Sequence, residues 1–169
     1  MKDNKGFSLV ELIVVIAIMS ILAGVVTISL SSANGTYVKE CAANMKSQLN
    51  NARQMTMAKS RVSLKFYVDS NGAYYADMCV YGSDQVSVID TTTTKLGRKS
   101  VAVQYTTNSS YAESSFTTLT ASNPIEIEFD RSSGAVKNSS GCVKQIKVSK
   151  GSNTKKITIY PETGKVAVE

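Results

Sequence analysis

The chain has no histidine and no tryptophan among its 169 residues, only two prolines, and three cysteines with no C-x-x-C spacing. Without histidine it lacks the usual general base, the commonest metal ligand and the side chain that ordinarily titrates near neutrality. No G-x-S-x-G, P-loop or G-x-G-x-x-G occurs. Serine-nucleophile, phosphate-cradle and dinucleotide chemistry therefore have no footing, and no cofactor is expected. The acids Asp69, Asp77, Asp84 and Asp90 stand singly, while Glu126 and Glu128 alternate in "IEIEFD" like solvent-facing strand residues rather than calcium ligands. No period of about 20–50 residues recurs, which excludes a solenoid. An enzyme is not expected.

What is present is a concentration of apolar residues at one end. Hydrophobic residues make up 43% of the chain, but from Phe7 to Val26 they run almost unbroken and continue through Ile28 and Leu30. A helix needs about 20 such residues to cross a bilayer. The run is too long for a cleaved secretory signal, and no A-x-A site closes it. Lys2 and Lys5 precede it, so the positive-inside tendency keeps the N-terminus cytoplasmic and sends the remainder across. A simple single-pass anchor would explain all of this except Glu11. A carboxylate at the centre of a membrane helix costs about 2.5–3.5 kcal/mol, less near the interface. Downstream of Glu11 the next basic residue is Lys39. A neutralising cation can come from the leader, from another subunit, or from a newly made terminus. Cutting between Gly6 and Phe7 creates the last of these, an amine on Phe7 about one helical turn from Glu11.

The stretch "KGFSLVELIVVIAIMSILAG" resembles the class III leader and N-terminal helix of type IV pilins and of the pseudopilins of type II secretion. The resemblance implies that a prepilin peptidase cuts after Gly6 and methylates Phe7. It also implies that Glu11 docks the subunit beside its neighbour. Further partners would be other pilin subunits and an assembly platform with its ATPase. The chain would be a single-pass inner-membrane protein with an extracytoplasmic body, later drawn into a surface pilus or pseudopilus. Ile28 stands where many major pilins carry a helix-loosening proline, leaving Gly24 as the weak point nearby.

Beyond the membrane run the helical spacing persists through Val38, Cys41, Met45, Leu49, Ala52 and Met55, so one helix is expected from about Ser8 to about Lys59. After Arg61 the period drops to two. "VSLKFYV" and "AYYADMCVY" flank the turn "DSNG", and further strands are expected at 86–89, 100–105, 125–130, 142–149, 155–160 and 165–168. The polar stretch 106–124 reads as a long surface loop. The fold class is α+β, a long helix covered by antiparallel strands. Its segments are a leader (1–6), an assembly half of the helix (7–30), a soluble half (31–60) and a β body (61–169).

Within the family, "LNNARQMTMAKSRVSLKFYVDSNGAYYADM" resembles the minor pseudopilin H and FimT-like branch, in which a helix ending in an Ala52, Arg53, Ala58 pattern runs directly into a hairpin. "IEIEFDRSSGAV" and "KKITIYPETGKVAV" are similar to that branch's later hairpins, with turns at Gly134 and Gly164. If the body is exported, Cys79 and Cys142 can form a bridge worth about 4 kcal/mol by loop closure; two other pairings and three thiols remain open. The net charge is +6, and the C-terminal stretch holds Lys144, Lys147, Lys150, Lys155, Lys156 and Lys165 against Glu162 and Glu169. Such lysines ordinarily line solvated strand edges. The alternative comes from FimT-like pilins that bind DNA through a Gly-Arg-x-Arg turn, which would place DNA contacts at Lys155, Lys156 and Lys165. Here "GKVA" lacks both arginines.

Overall fold

A computed structural model describes residues 8–58, 60–84, 86–109, 112–137 and 141–169; within the helix, the side chains of 25–33 are not described. The elements in order are α1 (Leu9–Met57), β1 (Val62–Val68), β2 (Tyr74–Tyr81), β3 (Val88–Gly97), β4 (Ala102–Thr106), a 3-10 turn (Glu113–Ser115), β5 (Thr117–Thr118), β6 (Ile125–Glu128), β7 (Gln145–Lys150), β8 (Asn153–Tyr160) and β9 (Lys165–Val168). The expected α+β class holds, with a long N-terminal helix and antiparallel sheets. The chain divides into two units, one up to Asn34 and one from Gly35 to Glu169.

In the second unit, Val38, Cys41, Ala42, Met45, Leu49 and Ala52 are all at most 1% exposed and join one core with residues of both sheets. The expected stripe holds until its last member. Met55 is 38% exposed, and Thr56 takes the buried place instead. A step of four from Ala52 keeps the side chain on the packed face, and the Thr56 hydroxyl is satisfied by donating to the Ala52 carbonyl at 2.8 Å.

Four strands form one sheet in the order β3-β2-β1-β6, and five form another in the order β5-β4-β7-β8-β9. The chain makes β1–β3 in the first sheet, crosses for β4 and β5, returns for β6, then completes the second. This interleaving binds the two sheets into one folding unit. The β1–β2 hairpin closes on Asp69, whose carboxylate accepts the Asn71 and Ala73 N–H groups, and on Gly72 at φ +80°.

Two sequence expectations are corrected here. The strand expected at 86–89 runs from Val88 to Gly97, through the run Thr91–Thr94. β-branched threonines suit a strand, but an edge strand without apolar alternation leaves no period-two signal. The expected loop 106–124 contains the 3-10 turn and β5, and its Leu119 is buried. The Leu119 N–H donates to the Val103 carbonyl at 2.9 Å, which pins this stretch to the second sheet.

Candidate assembly helix

The first helical bond runs from the Leu12 N–H to the Ser8 carbonyl at 3.2 Å, so Ser8 is the cap and Glu11 stands in the first turn. There the unpaired N–H groups and the macrodipole favour a negative charge by about 0.3–1 kcal/mol. Ser8 and Glu11 also have the S-x-x-E spacing of a capping box, a signal present in the sequence beside the one that suggested pairing. Glu11 is exposed, and among the described residues no basic group pairs with it. Gly6 and Phe7, where cleavage and methylation are expected, lie outside the described residues.

From Leu9 to Leu22 eleven large apolar side chains are exposed, between 47% at Val15 and 74% at Leu9. They occupy every side of the helix rather than one stripe. A helix apolar all round belongs inside a bilayer or a larger bundle. The one interior hydroxyl described here, Ser20, donates to the Ile16 carbonyl at 2.8 Å and so needs no outside partner. Full burial gains about 1.5–3 kcal/mol per large side chain, and eleven of them outweigh several-fold the about 2.5–3.5 kcal/mol charged for one carboxylate at membrane depth. Among the described residues no helix is long and apolar enough to cross a membrane; the sequence run to Val26 is what carries the expected single-pass placement.

The remaining sequence-selected residues do not converge. Cys79 is a free, half-buried thiol in β2, its sulfur receiving the Thr91 hydroxyl at 3.7 Å. Cys142 is buried ahead of β7 in the other sheet, and the structure does not join the two. Lys155 pairs with Val148 and Lys156 with Lys147, so these neighbouring lysines project from opposite faces of β8. Lys165 lies opposite Tyr160 at the other end of that strand. Lys147 is already engaged by Glu113 at 2.6 Å, an interaction that holds the Glu113 carboxyl below its ordinary value. Glu126 faces solvent as expected, accepting the Ser63 hydroxyl at 2.7 Å. Glu128 does not: its side chain is 15% exposed and pairs with Arg61 at 2.8 Å and Lys137 at 3.5 Å. Among the described residues no His, Cys, Asp and Glu group could hold a metal ion.

One constellation escaped sequence reading. The Arg53 Nε–H donates to the Gly134 carbonyl at 3.2 Å, and a Cβ on Gly164 would stand 1.9 Å from that carbonyl oxygen. Arg53 and the two turn glycines, noted separately in the sequence, therefore meet where a hairpin of each sheet reaches the end of α1. The glycine turns were visible; their mutual contact requires the fold.

A family model for the prokaryotic N-terminal methylation motif matches residues 1–27. No curated protein and no solved structure matches the chain. The motif implies processing by a prepilin peptidase and assembly with other pilins. It supports a type IV pilin-like prepilin, a structural subunit rather than an enzyme.

Proposed function

We propose that this chain is a minor subunit of a type IV pilus or a type II secretion pseudopilus. It enters the membrane through Phe7–Val26, is cut between Gly6 and Phe7, and is methylated on Phe7. It is then drawn into a filament of sister helices. The observation that carries the reading is the methylation motif at residues 1–27 on a helix whose exposed side chains from Leu9 to Leu22 are apolar on every side except at Glu11 and the self-satisfied Ser20. Glu11 supplies the specificity by pairing with the terminal amine of a neighbouring subunit. The minor role is supported by the branch resemblance, in which a helix carrying Arg53 runs into a hairpin within a few residues.

The test is the mass of the N-terminus of protein isolated from its native host. A chain beginning at N-methylated Phe7 supports the reading, and Gly6→Leu is expected to leave a membrane-retained precursor. A native chain still beginning with Met1 and Lys2 overturns it.

A further inference from the structure

Among the described residues the two sheets end in four edge strands, β3, β6, β5 and β9. Three of them are short. β5 is two residues long and β9 four; β6 is four, and its Glu128 carbonyl accepts the Lys137 N–H at 2.9 Å. β3 runs for ten residues, and among the described residues no strand pairs with its outer side. Its pairing with β2 is regular from Asp90 to Lys95, between two irregularities. Over that stretch every second residue turns its N–H and C=O away from the sheet. Natural edges are ordinarily blunted by charge, proline or a cover. Here the charges Asp90 and Lys95 stand only at the ends, and Thr91–Thr94 fill the middle.

Beside this edge lies a groove. Asn44 donates to the Leu96 carbonyl at 3.1 Å and ties one end of β3 to α1. Further along the same helix face, Gln48, Asn51 and Met55 stand across from Asp90, Thr92 and Thr94, and the groove they line has a volume of about 300 Å³. Asp90 is the one charged residue among its lining, and among the described residues no basic side chain lies within ion-pair distance of it. The neighbouring charges face the other way. Lys95 stands opposite Tyr75, and Asp77 accepts the Thr93 hydroxyl at 2.7 Å, all on the opposite face of the sheet. Arg61 and Arg131 line a separate cleft with Ile89, which alternation also places on that opposite face.

An open backbone edge fits another extended backbone, and an adjoining groove takes every second side chain of it. The unpaired carboxylate in that groove favours a cation there. A second copy of β3 would present only its own Asp90, Thr92 and Thr94 on that face, and so brings no cation. Nucleic acid would bring phosphates toward Asp90. We propose that the β3 edge and its groove form a docking site for an extended basic segment of a partner protein, added as a further strand with a lysine or arginine side chain directed to Asp90. The site lies wholly within the second unit and does not depend on the membrane reading.

The experiment presents the detergent-solubilised full chain with a randomised library of peptides about eight residues long. Selection is expected to enrich, at least about tenfold, peptides that alternate β-branched residues with lysine or arginine. Asp90→Lys is expected to abolish the preference for basic peptides. The strongest selected peptide is expected to slow hydrogen exchange at least about tenfold at every second amide between 90 and 95. Of Thr92→Pro and Thr93→Pro, one replaces an N–H that faces away from β2 and so leaves that ladder intact. That variant is expected to bind the peptide at least about tenfold more weakly; should neither fold, the exchange comparison on the unaltered chain decides alone. A library that enriches nothing overturns the proposal, as does an enriched peptide that leaves 90–95 unprotected or binds Asp90→Lys equally well. Protection of 90–95 that rises with protein concentration before any peptide is added also overturns it, by assigning the edge to a second copy.

Discussion

Replacing Glu11 by glutamine separates two roles that coincide at one position. Glu11 stands in the first turn after Ser8, where glutamine serves a capping box as well as glutamate does. If capping were the whole of its function, Glu11→Gln would cost only the charge–dipole contribution, about 0.3–1 kcal/mol. If Glu11 pairs with a neighbour's terminal amine, the loss is larger. Two unit charges about 4 Å apart attract by about 4 kcal/mol at an effective dielectric constant of 20, equivalent to nearly a thousandfold in an equilibrium.

The apolar side chains cannot mask that loss. Moving the eleven exposed side chains from lipid into a bundle of sister helices gains almost nothing from hydrophobicity, because lipid tails are as apolar as leucine. The preference for the filament then falls on the charge. Removing the charge also eases membrane insertion by about 2.5–3.5 kcal/mol or less. Glu11→Gln is therefore expected to be cleaved and to accumulate in the membrane, with incorporation reduced by at least about a hundredfold. The assay is quantitative immunoblotting of sheared filament and membrane fractions. Wild-type incorporation of Glu11→Gln, with Glu11→Ala impaired, would leave capping as the sole role and refute the pairing argument.

Gly164→Ala places a Cβ at φ +62° and 1.9 Å from the Gly134 oxygen; the backbone term alone costs about 1–2 kcal/mol, and the clash adds to it. A fall in Tm of at least about 5 °C is expected by circular dichroism of the detergent-solubilised chain, against near-neutrality for Gly141→Ala, whose Cβ meets nothing within 4 Å. A tolerated Gly164→Ala would refute the close packing of the two turns. Burial pushes the Cys41 thiol up to about 12, so at pH 8 a thiol reagent should label the half-buried Cys79 well before Cys41. All three cysteines should titrate after denaturation without reductant; a single titrating thiol would restore the bridge. Asp130 is held well below its ordinary value of 3.8, first by the Ser132 hydroxyl and then by the N–H and hydroxyl of Ser133. Because the folded value is depressed, its stabilisation is complete above the ordinary carboxylate range and fades as pH falls toward the folded value. The Tm difference between wild type and Asp130→Ala should therefore be full at pH 6 and shrink below about pH 3.8; a difference independent of pH would refute the hydrogen-bond account.

Long-range periodicity made most of the fold legible. The helix was expected from about Ser8 to Lys59 and runs from Leu9 to Met57, and β1, β2 and β9 stand where alternation placed them. The β3 strand was not legible beyond its start, because Thr91–Thr94 at an open edge needs no buried face. Glu128 was misread as solvent-facing for a related reason. Alternation puts it opposite Ile125 and Ile127, but its place beside Arg61 depends on β6 pairing with β1, more than fifty residues away in sequence. Sequence proximity does not encode facing, so the alternative that groups Lys155, Lys156 and Lys165 as DNA contacts could not be judged from the sequence; strand register separates Lys155 from Lys156.

The same distinction governs how the body is held to its helix. Arg53 is an ordinary surface-type residue in the sequence, and glycines 134 and 164 are ordinary turn residues. Together they place a guanidinium under two hairpins, one from each sheet, with the Val136 N–H donating to the Pro161 carbonyl at 2.8 Å beside them. An arginine spans this gap because its stem packs while its planar head donates; lysine would reach the carbonyl as a point charge without the fixed fork. If a filament pulls on the helix during extraction, the load passes to both sheets through the shared core and this contact. Arg53→Lys is therefore expected to retain the fold yet lose about 1 kcal/mol of stability for one backbone acceptor less well satisfied, read as a fall in Tm of about 2–4 °C. Hydrogen exchange should show the loss confined to the turns 130–136 and 161–164. Faster exchange spread evenly over both sheets would mean that Arg53 acts through the whole core rather than at the junction of the two hairpins.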